Sequence, residues 1–217
     1  DRTQGVSSSE IRAKNNTVKL GVVGESSVIT KYIQECEYVN GIDVTSVYTE
    51  SENLIASYKG KIIVANSFEE LLDVCDAVYI ASHPTKHYEH IKVALQNNKH
   101  VLCESPLTIN SNEVSELFDI TKKNNLILME AIKTAYSTAY NRLLLLAKSG
   151  RIGNIISVDA TCTSLMDFSN RVIDYKKVWN SICGWGPTAM LPIFQILGTD
   201  YKNININTIY GYGYRLT

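Results

Sequence analysis

The stretch DAVYIASHPTKHYEHIKVALQNNKHVLCESPLT, residues 76–108, has two short apolar runs on either side of a segment with helical periodicity. The runs AVYIAS (77–82) and HVLCE (100–104) are predicted to be strands, and residues 86–97 between them a helix. Parallel strands need such a crossover, because a tight turn can join only antiparallel ones. The stretch therefore predicts one strand–helix–strand unit of a parallel sheet.

The same alternation continues on both sides of this unit. Further strands are predicted at 18–24, 43–49, 61–65 and 126–131, and further helices at 26–37, 52–59, 67–74 and 110–125. Near-continuous apolar strands that alternate with helices indicate a parallel sheet covered on both faces. The predicted fold class is α/β: a Rossmann-type doubly wound parallel sheet over residues 18–132.

After Ala131 the pattern changes. Here we predict a helix at 138–149, a long strand at 154–165, a helical segment at 187–197 broken by Pro192, and a last strand at 203–214. Two strands are rarely stable alone. We therefore expect residues 133–217 to be part of an α+β domain with an open antiparallel sheet, and the chain to be a fragment.

Composition limits the class of ligand. The chain has 45% hydrophobic residues and a net charge of −1, with 21 basic and 22 acidic residues interspersed. This composition predicts a globular protein without the basic surface that nucleic acid or an anionic membrane requires. A small molecule is the expected ligand.

The cysteines and histidines argue against a disulfide framework and a metal site. The five cysteines are widely spaced and form no CxxC pair, which is typical of reduced thiols in a cytoplasmic protein. His83 precedes Pro84, which disfavours helical geometry, so His83 is not expected to share a helix face with His87 and His90. No metal is expected.

The turn after the first predicted strand, in LGVVGESSVI (20–29), has part of a dinucleotide-binding motif. Gly21 and Gly24 are present, but Ser26 stands at the second glycine of GxGxxG and the third glycine is missing as well. With Ser27, these residues are candidate cofactor contacts, and a plain tight turn remains the alternative. Glu50, which closes the second strand, is either a partner for a ribose hydroxyl or a solvated acid.

Two long segments, residues 67–108 and 128–164, resemble the glucose-fructose oxidoreductase/inositol dehydrogenase (Gfo/Idh/MocA) family. The resemblance implies an NAD- or NADP-binding Rossmann domain and an open antiparallel sheet that usually forms a homodimer. It also implies hydride transfer to or from a sugar or polyol carbon. Candidate cofactor contacts implied by it are Ser82, His87, Glu104 and Ser105. Candidate catalytic residues are Glu104, Lys133 and Tyr175; the alternatives are a structural carboxylate that binds loop amides for Glu104 and a solvated charge for Lys133.

The chain departs from the family pattern at the residues that carry the chemistry. The family lysine after the fifth strand is Ser105 here, and a serine offers a hydrogen bond but no charge. The family aspartate and histidine fall on Met190 and Phe194, which cannot titrate. The family arginine near the second-domain entrance is Ala135. These departures support a second hypothesis: a catalytically degenerate domain that serves ligand binding or dimerisation.

The first fourteen residues, DRTQGVSSSEIRAK, resemble a different family. They are similar to the segment that closes glycerol-3-phosphate-type cytidylyltransferase domains, although an ordinary capped helix remains an alternative. The resemblance implies that the arginine and the hydroxyls hold the phosphates of CTP. The matching residues are Arg2, Thr3, Gly5, Val6, Ser7, Ser8 and Ser9. Residues 1–17 are therefore predicted to be the remnant of an upstream domain and a linker.

Overall fold

Six parallel strands form a single sheet in the order β3-β2-β1-β4-β5-β6. The computed structural model describes residues 17–25, 27–163, 181–203 and 205. The strands are β1 (Val18–Val23), β2 (Ile42–Tyr48), β3 (Ile63–Val64), β4 (Ala77–Ile80), β5 (His100–Cys103) and β6 (Leu128–Glu130). All five neighbouring pairs are parallel. The predicted Rossmann-type α/β fold class is confirmed.

Five helices connect these strands as expected, and three more in the described part of the chain follow β6. They are α1 (Val28–Cys36), α2 (Glu52–Tyr58), α3 (Phe68–Asp73), α4 (His87–Gln96), α5 (Ser111–Asn124), α6 (Lys133–Tyr136), α7 (Thr138–Lys148) and α8 (Ser181–Leu197). A 3₁₀ turn, Pro84–Lys86, precedes α4. Local signals fix some of these ends: the Ser67 hydroxyl accepts a hydrogen bond from the Glu70 N–H at 3.1 Å, as expected of an N-cap.

The sheet has an apolar core on each face because its strand side chains alternate. On one face Val78 and Ile80 of β4 pack with α3, α4 and α5. On the other face Tyr79 packs with residues of α1 and α2. Gly21 lies inside β1, where a Cβ atom would come 2.9 Å from Leu71 Cδ2. The structure therefore gives Gly21 a packing role.

The order of the strands creates a crevice between the loops that follow β1 and β4. From β1 the chain builds outward to β3, and then crosses back to place β4 on the other side of β1. The loops after β1 and β4 therefore leave the sheet side by side in opposite directions. Such a switch point is where open α/β sheets bind their ligands.

The chain divides into two structural units. Among the described residues, the first unit comprises 17–133 without residue 26, together with 181–187. The second unit comprises 134–163 and 188–205 without residue 204. In the second unit the Tyr140 hydroxyl donates to Gln195 Oε1 at 2.6 Å, which joins α7 to α8. No helix in the described part of the chain is both long and apolar enough to cross a membrane.

Two predictions for the second unit are wrong. Residues 154–163 form no strand, because a strand needs a hydrogen-bonded neighbour and the described residues supply none; Ile156 is 96% exposed. The predicted break at Pro192 is also absent, since α8 continues through Pro187 and Pro192. The φ angle of proline suits a helix, and each proline removes only one helical N–H donor. The strand predicted from 203 falls almost wholly outside the described residues, as do residues 1–16.

Candidate functional site

Gly24 forms the turn at the carboxyl end of β1, at the switch point. Its φ angle is +140°, and a Cβ atom there would overlap the carbonyl oxygen of Ala81 in the loop after β4. The Gly24 N–H donates to the Tyr48 carbonyl at 3.1 Å, and the Ala81 N–H donates to the Val23 carbonyl at 2.8 Å. Only glycine allows this approach of the two loops. Ser27 is exposed just before α1, and Ser26 lies outside the described residues.

The missing third glycine of the motif has a structural substitute. Counted from Gly24, the third glycine position of GxGxxG is Ile29, which is completely buried between α1 and the sheet. A glycine there would let the helix lie closer to the strand. Here an apolar side chain fixes the helix instead, while the N-terminus of α1 still faces the switch point, where it can bind an anion.

Glu104 follows β5 and is held by a buried tyrosine. The Tyr79 hydroxyl donates to Glu104 Oε1 at 2.5 Å, and the ring of Tyr79 stacks on that of Tyr32 with 3.8 Å between centroids. Burial, followed by the Glu104 carboxylate, raises the pKa of Tyr79. The phenol therefore remains protonated and acts as a donor, which fixes the position of the Glu104 carboxylate at the edge of the sheet.

Ser105 is paired with an acid from the next strand. Its hydroxyl donates to Glu130 Oε1 at 2.8 Å. Glu130 is the last residue of β6 and lies opposite Cys103 in the register of β5. The two half-buried carboxylates, Glu104 and Glu130, therefore stand at the ends of neighbouring strands, on either side of Ser105. A serine hydroxyl that donates a hydrogen bond to a carboxylate can relay a proton. Its oxygen accepts a proton from a neighbouring group while its own proton moves to the carboxylate.

His87 joins two loops of the crevice. Its Nδ1 lies 2.8 Å from the Pro106 carbonyl oxygen, and its Nε2 lies 2.9 Å from the Ser82 carbonyl oxygen. Burial lowers the pKa of His87, and the two carbonyl groups oppose that effect. Neutral His87 carries a single N–H and donates to one of these two carbonyls, and its buried ring packs between the Ser105–Pro106 segment and the loop after β4.

A second cluster lies nearer β2. The Ser82 Oγ is 2.9 Å from His90 Nδ1, and the His90 ring lies 4.7 Å from that of Phe68. Glu50 forms an ion pair with Lys86, with 3.6 Å between Lys86 Nζ and Glu50 Oε1. Burial lowers the pKa of His90, and the nearby Lys86 ammonium lowers it further. The candidate residues Glu50 and Ser82 are thus part of one polar region.

Other predicted residues are not brought into these clusters. Lys133 begins α6 and is exposed, and none of the described hydrogen bonds or ion pairs joins its side chain to Glu104. Met190 and Phe194 lie on α8, where the Phe194 ring is 6.4 Å from that of Tyr201. Tyr175 lies outside the described residues.

Sequence reasoning missed five residues of the site: Tyr32, Tyr79, Lys86, His90 and Glu130. Tyr79 is hidden in the sequence because it sits within an apolar strand and looks like core. Glu130 closes the last strand of the sheet, just as Glu104 follows β5. That shared position is the signal by which Glu130 could have been found.

Comparison with known proteins gives the same fold. A family model described as an oxidoreductase family with an NAD-binding Rossmann fold, Gfo/Idh/MocA, matches residues 18–132. Scyllo-inositol 2-dehydrogenase (NADP(+)) of Bacillus subtilis is 28% identical over 131 residues, covering 58% of this chain and 40% of that enzyme. Glucose-6-phosphate 3-dehydrogenase of the same organism is 26% identical over 144 residues, covering 64% and 41%. The chain spans about two fifths of the length of these relatives.

Two solved structures extend the comparison. A 3-ketoreductase from Actinomadura kijaniata, in complex with TDP-benzene and NADP, has a TM-score of 0.58 and 26% identity, covering 64% of this chain and 45% of that chain. An NAD-binding protein from Listeria innocua has a TM-score of 0.65 over 83% of this chain and 54% of its own. Its identity is 19%, so this likeness concerns the fold alone.

Proposed function

Because the chain belongs to the Gfo/Idh/MocA oxidoreductase family with its NAD-binding Rossmann fold, we propose that it is an NAD(P)-dependent oxidoreductase domain acting on a sugar or polyol. The observation that carries the proposal is the Gly24 turn at the switch point. A Cβ atom at Gly24 would overlap the loop after β4, so the turn has kept the glycine that this approach needs. The relatives named as inositol and sugar-phosphate dehydrogenases support the substrate class.

The residues at the switch point fit a dinucleotide. The backbone after Gly24 and the N-terminus of α1 would hold its phosphates. Glu50, after β2, would accept hydrogen bonds from a ribose. Ser82, held by His90, would lie on the side toward the nicotinamide. When bound, the nicotinamide supplies the hydride acceptor or donor, and the remaining task of the protein is to orient a substrate hydroxyl and move its proton.

We assign the proton transfer to Ser105 and Glu130. A substrate hydroxyl beside Ser105 would give its proton to the serine oxygen as the serine proton passes to Glu130 Oε1, over the existing 2.8 Å hydrogen bond. Glu104, anchored by Tyr79, would receive a second hydroxyl of the sugar. Lys133 and Tyr175 remain proposed catalytic residues from the family resemblance.

The test has two stages and uses the full-length protein. Calorimetric titration with NADH and with NADPH measures binding. Reduction of NAD⁺ and NADP⁺ in the presence of scyllo-inositol or glucose 6-phosphate, followed at 340 nm, measures turnover. We expect binding and turnover, with turnover lost in Glu130→Gln while binding is kept. Absence of binding to either cofactor would refute the proposal.

A second candidate function is a binding or dimerisation domain without chemistry. It is favoured by Ser105, whose place in the family belongs to a lysine, and by Met190 and Phe194, which cannot titrate. This candidate predicts cofactor binding without turnover of any sugar or polyol in the same assays. Turnover that depends on Glu104 or Glu130 would exclude it.

Three further proposals concern the whole protein. We propose that the chain belongs to a bifunctional protein with an upstream cytidylyltransferase domain, that it forms a homodimer through residues 133–217, and that it is cytoplasmic. The first rests on residues 1–14 and predicts an H-x-G-H segment upstream of Asp1. The second is tested by analytical ultracentrifugation. The third rests on free cysteines such as Cys36, Cys75 and Cys103 and is tested by cell fractionation.

A further inference from the structure

Two tyrosines connect helix α1 to the carboxylate that follows β5. The ring of Tyr32, in the middle of α1, stacks on the ring of Tyr79, with 3.8 Å between centroids and 17° between ring planes. The Tyr79 hydroxyl in turn donates to Glu104 Oε1. Tyr32 is itself held, because its hydroxyl interacts with the Cys36 thiol one turn further along α1. These side chains form a continuous series of contacts from the helix to the candidate site.

The stacked ring of Tyr32 fixes the place of the Tyr79 hydroxyl. Tyr79 is 1% exposed and belongs to the core cluster that residues of α1 and α2 form on one face of the sheet. When a core side chain is truncated, its neighbours move part of the way into the space that is left. A movement of the Tyr79 ring displaces its hydroxyl most, because the oxygen stands at the far end of the side chain. The position of the donor to Glu104 therefore depends on Tyr32.

Glu104 has one oxygen that is held and one that a ligand can use. It is half-buried, and within the described residues its Oε1 accepts the hydrogen bond from Tyr79 while its Oε2 accepts none. The last torsion of a glutamate side chain is broad, so the side chain alone does not fix the plane of the carboxylate. The bond to Oε1 fixes it instead. The direction in which Oε2 meets a substrate hydroxyl is thus set by Tyr79.

We infer that Tyr32 is a positioning residue of the proposed reaction: through Tyr79 it orients Glu104 for the second hydroxyl of the sugar, and so determines the affinity for that substrate. The inference rests on the proposed function, because it presupposes that Glu104 binds this hydroxyl. A hydrogen bond made equally in the bound substrate and in the transition state lowers KM and leaves kcat unchanged. The expected effect of losing the Tyr32 ring is therefore on KM.

The experiment measures KM and kcat for the sugar, and the dissociation constants of NADH and NADPH, in the full-length protein and its variants. The sugar is whichever of scyllo-inositol and glucose 6-phosphate the wild-type protein oxidises. Tyr32→Leu removes the stacked ring and keeps an apolar side chain that favours a helix. Tyr32→Phe keeps the ring and removes only the hydroxyl.

Tyr58→Leu is the matched control for a general loss of core packing. Tyr58 is an 8% exposed tyrosine of α2 in the same core cluster as Tyr79. Among the described residues, none of its hydrogen bonds or ring contacts reaches Tyr79 or Glu104. A change in KM that arises only from a weakened core should therefore be the same in Tyr58→Leu and Tyr32→Leu.

We expect Tyr32→Leu to raise KM about tenfold with kcat unchanged. Tyr32→Phe and Tyr58→Leu should keep KM within about a factor of two of the wild-type value. Tyr79→Phe should raise KM as well, and adding Tyr32→Leu to it should produce no further rise, because the hydrogen bond through which Tyr32 acts is already gone. The dissociation constants of NADH and NADPH should stay the same in every variant.

Three results would overturn this inference alone. The first is a KM in Tyr32→Leu that is unchanged, or raised no more than in Tyr58→Leu. The second is additivity of the Tyr32→Leu and Tyr79→Phe effects on KM. The third is weaker binding of NADH or NADPH in Tyr32→Leu at constant KM, which would assign Glu104 to the nucleotide. Absence of turnover by the wild-type protein would instead overturn the proposed function, and with it the role of Glu104.

Discussion

The hydroxyl of Tyr79, a tyrosine that is 1% exposed, donates to Glu104 Oε1 at 2.5 Å, although the two residues are 25 positions apart. The bond connects the interior of the sheet to the carboxyl end of β5. Glu104 is thereby held where β5 ends, beside Ser105. The same edge carries the Ser105–Glu130 pair, so both carboxylates have a fixed hydroxyl donor. The contacts at the carboxyl ends of β1, β4, β5 and β6 lead to four predictions.

Removal of the Tyr79 hydroxyl should destabilise the domain. Tyr79→Phe leaves the ring stacked on Tyr32 but takes a buried donor from a carboxylate, so we expect a loss of about 2 kcal/mol in the free energy of unfolding. Urea denaturation measures it. Tyr88→Phe is the control, because Tyr88 makes a similar 2.6 Å bond to Glu116 at the surface. A solvent-exposed hydrogen bond of this kind contributes about 0.5 kcal/mol. Equal losses in the two variants would contradict the role of burial.

Ser105 and Glu130 should be energetically coupled. In a double-mutant cycle of Ser105→Ala and Glu130→Gln, we expect a coupling of about 1 kcal/mol in the free energy of unfolding. The physical reason is that Ser105→Ala removes the donor, whereas Glu130→Gln keeps an acceptor oxygen but removes the negative charge that strengthens this half-buried hydrogen bond. Ser115→Ala, which removes a hydroxyl bonded to the Ser111 carbonyl within α5, should show no coupling to Glu130→Gln. Additive effects of the Ser105 and Glu130 changes would show that the charge of Glu130 contributes nothing to the bond.

Gly24→Ala should cost far more than a change at another glycine with positive φ. At Gly24 a Cβ atom overlaps Ala81, whereas at Gly60, with φ +80°, nothing lies within 4 Å. Gly60→Ala therefore meets only backbone strain, about 1 kcal/mol, and Gly24→Ala adds a steric clash, for a total above about 3 kcal/mol. Thermal and urea denaturation of both variants check this difference. NADH binding should survive in Gly60→Ala and be lost in Gly24→Ala.

Stability should fall as the pH drops below about 6.5, the ordinary pKa of histidine. Burial lowers the pKa of both His87 and His90 in the folded protein. Between pH 6.5 and the folded pKa the unfolded chain therefore binds more protons, so acid favours unfolding. Each histidine contributes at most about 1.4 kcal/mol per pH unit in that window.

Urea denaturation at pH 7.5 and pH 5.5 measures this loss in the wild-type protein and in two variants. His87→Gln should reduce the loss, because one of the two buried sites is gone. His90→Gln should reduce it as well, because His90 is the other histidine whose pKa burial lowers. A loss of the same size in His87→Gln as in the wild-type protein would contradict the assignment.

Local sequence signals determined most of the first unit. Apolar runs bounded by turn residues located all six strands, because a strand covered on both faces must be apolar along its length. Capping residues such as Ser67 located helix ends, since their bonds reach only a few residues along the chain. The same reasoning was wrong at 154–163 and at Pro192. Whether an extended segment becomes a strand depends on a neighbour, and a proline can be accommodated inside a helix.

Only the tertiary structure decided how the site is assembled. The sequence placed Gly24, Glu50, Ser82, Glu104 and Ser105 at the ends of strands, which is a local property. It did not show that Tyr79 holds Glu104, that Glu130 accepts from Ser105, or that Lys86 pairs with Glu50. Those contacts join residues from different loops and strands, and they depend on strand order, register and the face to which each side chain points. Local patterns determined where the polar groups occur along the chain, and packing of the parallel sheet determined which of them meet.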